Sequence, residues 1–107
     1  MIAIYGLKNC DTCRAATKAL QGAGAELIDI RQTPLLPAQL AAFYAEFGEA
    51  LVNKRSTTWR NLSEEQRSGE SLELLSEHPS LMKRPVIDRD GNLYLGWGKD
   101  VQAALAD

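Results

Sequence analysis

The sequence predicts an α/β fold with a mixed sheet and an inserted helical segment, on three observations. Two short apolar runs, Met1–Tyr5 and Ala25–Ile30, flank a stretch of helix formers, the order of a βαβ unit with parallel strands. An Asp90-Gly91 pair between the runs 81–88 and 93–95 marks an antiparallel hairpin, followed by a closing helix. Between these halves lie helix starts and prolines but no alternating strand pattern.

The first strand ends at Tyr5, and Arg14–Gln21 forms the first helix, with Ala16, Ala19 and Leu20 spaced for one apolar face. Gly22-Ala23-Gly24 stops it. Pro37 suits the first turn of a helix running through Phe47 to Gly48, whose buried face is Leu40, Phe43, Tyr44 and Phe47. Asn53–Arg60 reads either as a solvated turn capped by Ser56 or as an anion or partner site. Ser63-Glu64-Glu65-Gln66 has the form of a capping box. Ser71–His78 is a further helix closed by Pro79, which makes His78 a helix-end residue rather than a catalytic base. The strand 81–88 is entered through Pro85, and the last helix, Lys99–Ala106, carries apolar Val101, Ala104 and Leu105. The 107 residues form one domain, with a core of 1–30 and 82–107 and a helical insertion at 31–81.

The chain's two cysteines lie three positions apart, Cys10 and Cys13, on the turn between the first strand and the first helix. Unpaired N–H groups and the positive end of the helix dipole favour an anion there, so Cys10 is expected to ionise readily and act as a nucleophile. Cys13, one turn on and on the same face, is placed to resolve a mixed disulfide on Cys10. Lys8 adds positive charge, whereas Asp11 opposes the thiolate. With His78 the one other soft ligand, no metal site is expected.

A net charge of −2 argues against direct nucleic-acid binding. No apolar run approaches a membrane span and no secretory signal pattern is present, so a cytoplasmic monomer is expected. In that compartment, paired cysteines are more often catalytic or sensing than structural.

The order of elements is that of a thioredoxin-like, glutaredoxin-like fold. Beyond it, the segments Tyr5–Cys13, Lys54–Arg60, His78–Ile87 and Gly96-Trp97 resemble the ArsC/Spx family, and most of all its YffB-type thiol reductases. The resemblance implies Cys10 as nucleophile, with Cys13 and Arg84 as its catalytic partners. It implies substrate contacts at Lys8, Asn9, Thr12, Arg55, Pro85 and Gly98, with Pro85 as the cis-proline of such folds and Gly98-Lys99-Asp100 similar to a glutathione-holding segment. Glutathione is the implied co-substrate, alongside protein thiols or disulfides. Arsenate reductases of the family carry three arginines around the nucleophile. Here Asn53 and Gly96 stand at two of those positions, which argues against arsenate reduction. The Cys13 spacing matches the Spx branch, redox-sensing regulators that bind the RNA polymerase α subunit. That branch has a longer C-terminal tail, whereas this sequence ends just after its last helix. A glutathione-dependent thiol–disulfide oxidoreductase is therefore the expected function, with an Spx-like regulator as the alternative.

Overall fold

The computed structural model describes residues 1–106. It divides into two compact units, one made of Met1–Thr33 together with the chain from Arg84 onward, the other of Pro34–Lys83.

The first unit carries a four-stranded sheet with strands β1 (Ile2–Gly6), β2 (Glu26–Asp29), β3 (Val86–Arg89) and β4 (Asn92–Leu95). Their spatial order is β2-β1-β3-β4. β1 pairs parallel with β2 in a register that sets Gly6 beside Asp29, and antiparallel with β3, whose other neighbour is antiparallel β4. The sheet is thus mixed and thioredoxin-like, as the βαβ and hairpin signals predict. Asp90 and Gly91 both have positive φ, 52° and 91°, the backbone that the Asp-Gly turn requires.

Helix α1 (Asp11–Leu20) starts three residues earlier than the propensity pattern suggests, so its buried face is Cys13, Ala16 and Leu20. Ala19 is exposed, because it falls on the far side of Ala16 from Cys13 and Leu20. Gly24, at φ 83°, ends the short 3₁₀ turn that follows. Ala16 and Leu20 pack with Ile2, Ile4 and Ile87 and with Val101 and Leu105 of α6 (Lys99–Leu105). Ala104, expected on that face, is exposed. The third strand also begins later than expected, at Val86. Pro85 has no N–H to give to a ladder, and Met82 pairs instead with Val52 in an isolated bridge.

The second unit contains α2 (Pro37–Phe47), α3 (Thr57–Arg60), α4 (Glu64–Arg67) and α5 (Ser71–Glu77). Leu40 and Phe43 are buried on α2, but Tyr44 and Phe47 are only half-buried, so the apolar face is narrower than the aromatic stripe implied. Tyr44 keeps its hydroxyl at the edge because it donates to Glu49. The stretch read as a turn holds a helix: Ser56 caps α3 by accepting the Trp59 N–H at 3.1 Å. At α4 the capping box closes both ways, with Gln66 N–H to Ser63 Oγ at 3.1 Å and Ser63 N–H to Gln66 Oε1 at 2.8 Å. His78 is the C-cap of α5, ahead of Pro79. Among the described residues, no helix is long and apolar enough to cross a membrane.

Candidate functional site around Cys10

Cys10 sits at the N-cap of α1 with extended backbone, φ −98° and ψ 120°. Its N–H donates to the Leu7 carbonyl at 3.2 Å, and its carbonyl accepts the Arg14 N–H at 3.0 Å. The strand end and first helical turn therefore fix the residue from both sides. Its side chain closes no conventional cap bond, but the Cys13 N–H faces the sulfur and favours its anionic form. Partial burial pushes the Cys10 thiol up. The main-chain N–H and thiol of Cys13, then the hydrogen bond and charge of Arg84, outweigh that and hold it below the usual thiol range.

Cys13 behaves in the opposite way. None of its surface is exposed, and its thiol is pushed up to about 12, first by burial and then by the neighbouring Cys10. A bond from the Leu7 main chain and the Arg84 charge offset only part of this. The two thiols are chemically unequal: half-buried Cys10 is held toward its ionised form, and buried Cys13 beside it toward its protonated form. Only the thiolate attacks a disulfide.

Gly6 makes this packing feasible. A Cβ there would lie 2.3 Å from the Cys13 Sγ and 3.2 Å from its Cβ. The sequence reading passed over Gly6, although a residue without a side chain at the end of a strand leading into the cysteine turn is a visible signal of close approach.

The structure brings Arg84 to Cys10, with Pro85 buried next to it across a cis Arg84–Pro85 bond. The Pro85 carbonyl accepts the N–H of Gly96, a residue held at φ 82°. Lys8, Asn9 and Thr12 flank Cys10: Lys8 N–H donates to Asp29 Oδ2 at 2.9 Å, Asn9 Oδ1 receives Arg31, and Thr12 is exposed on the first turn of α1. The cation acting on the thiolate is Arg84 rather than Lys8, whose side chain is exposed. Asp11, expected to oppose the thiolate, is paired with Arg14 at 2.6 Å. Gly98 is the N-cap of α6, and a Cβ on it would come within 2.9 Å of an Asp100 carboxylate oxygen. Arg55 belongs to the second unit, exposed, with its N–H on Asn53 Oδ1 at 3.1 Å. Among the described residues no three His, Cys, Asp or Glu side chains gather as metal ligands.

A cysteine at a helix start under an arginine beside a cis-proline is the arrangement against which known proteins can be compared. The model of the ArsC family matches residues 5–105. The chain belongs to the ArsC family. An uncharacterized protein of Haemophilus influenzae is 44% identical to it over 99% of this chain and 100% of the relative. A solved structure of a protein named YFFB superposes with a TM-score of 0.88 at 30% identity, covering 97% of each chain. The global transcriptional regulator Spx of Streptococcus agalactiae is 28% identical over 94% of this chain and 79% of its own. A solved structure of an arsenate reductase related protein from Brucella melitensis superposes with a TM-score of 0.73 at 35% identity, covering 97% of this chain and 92% of that one, so the chain is similar both to a reductase-related protein and to a regulator.

Proposed function

We propose that the protein is a glutathione-dependent thiol–disulfide oxidoreductase with Cys10 as its nucleophile. The observation that carries this reading is the split between the two thiols, Cys10 held low by Cys13 and Arg84 while Cys13 is held high. In the first step the Cys10 thiolate attacks one sulfur of a disulfide. A Cys10–substrate disulfide forms, the substrate S–S bond breaks, and the other sulfur leaves as a thiolate that takes up a proton. Arg84 stabilises the anion before attack.

Once Cys10 is in a disulfide its negative charge is gone, which removes one of the two causes holding the Cys13 thiol high. Two routes then finish the turnover. Cys13, deprotonated, attacks Cys10 Sγ and frees the substrate thiol, leaving a Cys10–Cys13 disulfide that two glutathione thiols reduce to give oxidised glutathione. Alternatively, a glutathione thiolate attacks the substrate-side sulfur of the mixed disulfide, breaking its bond to Cys10; the Cys10 thiolate leaves, and the product is oxidised glutathione when the bound thiol is itself glutathione. The burial that remains on Cys13 favours the second route.

The test is to incubate Cys13→Ser with oxidised glutathione and weigh the intact protein. One glutathione on Cys10, removed by free glutathione with turnover retained, is the expected result. Absence of both adduct and turnover in Cys13→Ser and in the unaltered protein would defeat the reading.

The similarity to Spx over 94% of this chain favours a second reading, a redox-sensing regulator that binds the RNA polymerase α subunit. Retention of the α subunit that changes between reduced and oxidised protein, with no disulfide turnover, would select it.

A further inference from the structure

A second guanidinium, besides Arg84, is held at the cysteine turn. Asp29 ends β2, and its carboxylate is taken up by main chain: Oδ2 accepts the Lys8 N–H at 2.9 Å, and Oδ1 accepts those of Arg31 at 2.8 Å and Gln32 at 3.3 Å. The Ile30 N–H to the Gly6 carbonyl, 2.9 Å, ties the same two segments together. The turn that follows β2 is thereby fixed against the turn that precedes Cys10. From that fixed position Arg31 places Nη2 3.5 Å from Asn9 Oδ1, on the residue adjoining the nucleophile.

The bond to Asn9 is long, Arg31 is exposed, and the Asp29 carboxylate two residues before it already serves three N–H groups. The guanidinium therefore retains donors for an incoming group. Across the segments that form the turn, Lys8, Arg14, Arg31 and Arg84 stand against Asp11 and Asp29, an excess of positive charge in a chain whose net charge is −2. Such a local excess draws anions to the nucleophile.

We propose that Arg31 is a substrate-binding residue that selects small thiols and disulfides carrying a carboxylate near the reacting sulfur. This rests on Cys10 exchanging thiols, as argued above. It assigns the planar fork of Arg31 to that carboxylate, and leaves Arg84 to the thiolate.

The test compares alkylation of reduced protein by iodoacetate, which carries a carboxylate, with alkylation by neutral iodoacetamide, in the unaltered protein, Arg31→Ala and Arg31→Lys. In Arg31→Ala the iodoacetate-to-iodoacetamide rate ratio should fall about threefold at low salt, the size expected for one unit charge at a hydrated surface. Arg31→Lys should keep most of the ratio, and the pH profile with iodoacetamide should superimpose in all three. An unchanged ratio overturns the proposal. So does a shifted iodoacetamide profile, because Arg31 would then act on the thiolate and not on the ligand. In a single-turnover reaction of reduced protein with no added thiol, Arg31→Ala should slow attack on oxidised glutathione and leave attack on bis(2-hydroxyethyl) disulfide unaffected; equal effects on both disulfides would overturn it. Alkylation needs no turnover, so absence of any reductase activity would defeat the function proposed above while the rate ratio still decides the role of Arg31.

Discussion

The two units of this chain use their polar groups in different ways. In the second unit they are consumed internally: Glu49 accepts from Tyr44 and Ser71 and lies 3.7 Å from Lys54, Arg67 donates to the carbonyls of Trp59 and Arg60, and Ser63 and Gln66 satisfy each other. In the first unit, the Cys13 N–H, the Cys13 thiol and Arg84 converge on one sulfur. Bonds of the first sort hold a shape, whereas groups aimed at an ionisable atom change its reactivity. The difference separates scaffold from chemistry more sharply than burial does, since both units have fully buried residues such as Ile4 and Leu81.

Substitutions can break or sharpen this contrast. Cys10→Ser should lower disulfide turnover by about a thousandfold or more while shifting the melting temperature little, because a half-buried sulfur exchanged for oxygen leaves the core intact. Steady-state turnover with thermal melting checks both halves. Leu81→Ala, a fully buried site in the second unit, should cost about 2–5 kcal/mol of stability yet leave the Cys10 alkylation rate unchanged at temperatures where the variant is folded. A changed rate would erase the distinction between the units. Arg84→Ala should raise the Cys10 pKa and slow alkylation near neutral pH, read from the rate against pH.

The smallest effect is one of pH on stability. Cys13 is raised in the folded state, so its contribution is fully present below the usual thiol value and is lost as pH rises toward 12. Cys10 is lowered, so its contribution is present above the usual value and lost as pH falls through its folded value. Chemical denaturation from pH 6 to 11 should show a decline above pH 9 that Cys13→Ala removes.

Much of this was legible in local signals. The Asp90-Gly91 turn, the Ser63 capping box, Pro37 at a helix start and the cysteine pair each carry their own instruction within a few residues. The misses have a common physical origin in contacts between distant segments. Ala19 and Ala104 have the right spacing but no partner to cover them, and Tyr44 is drawn to the edge by Glu49. Met82 leaves the expected strand because Val52 pairs with it. At the site, Gly6 and Asp29 gain meaning only when β1 and β2 are side by side, which places one under Cys13 and the other against Lys8. Arg84 entered through family resemblance, since nothing in its spacing from Cys10 indicates contact.

The close fit of Gly6 against Cys13 also bears on damage by peroxide. With no surface of its own, Cys13 offers an oxidant no line of approach, so two-electron oxidation begins at Cys10 as a sulfenic acid. The neighbouring thiol can condense with that sulfenic acid, expelling water and forming a disulfide before a second oxidation reaches the irreversible sulfinic state. Mass spectrometry of peroxide-treated protein should accordingly show a Cys10–Cys13 disulfide in the unaltered chain and sulfinic acid on Cys10 in Cys13→Ser.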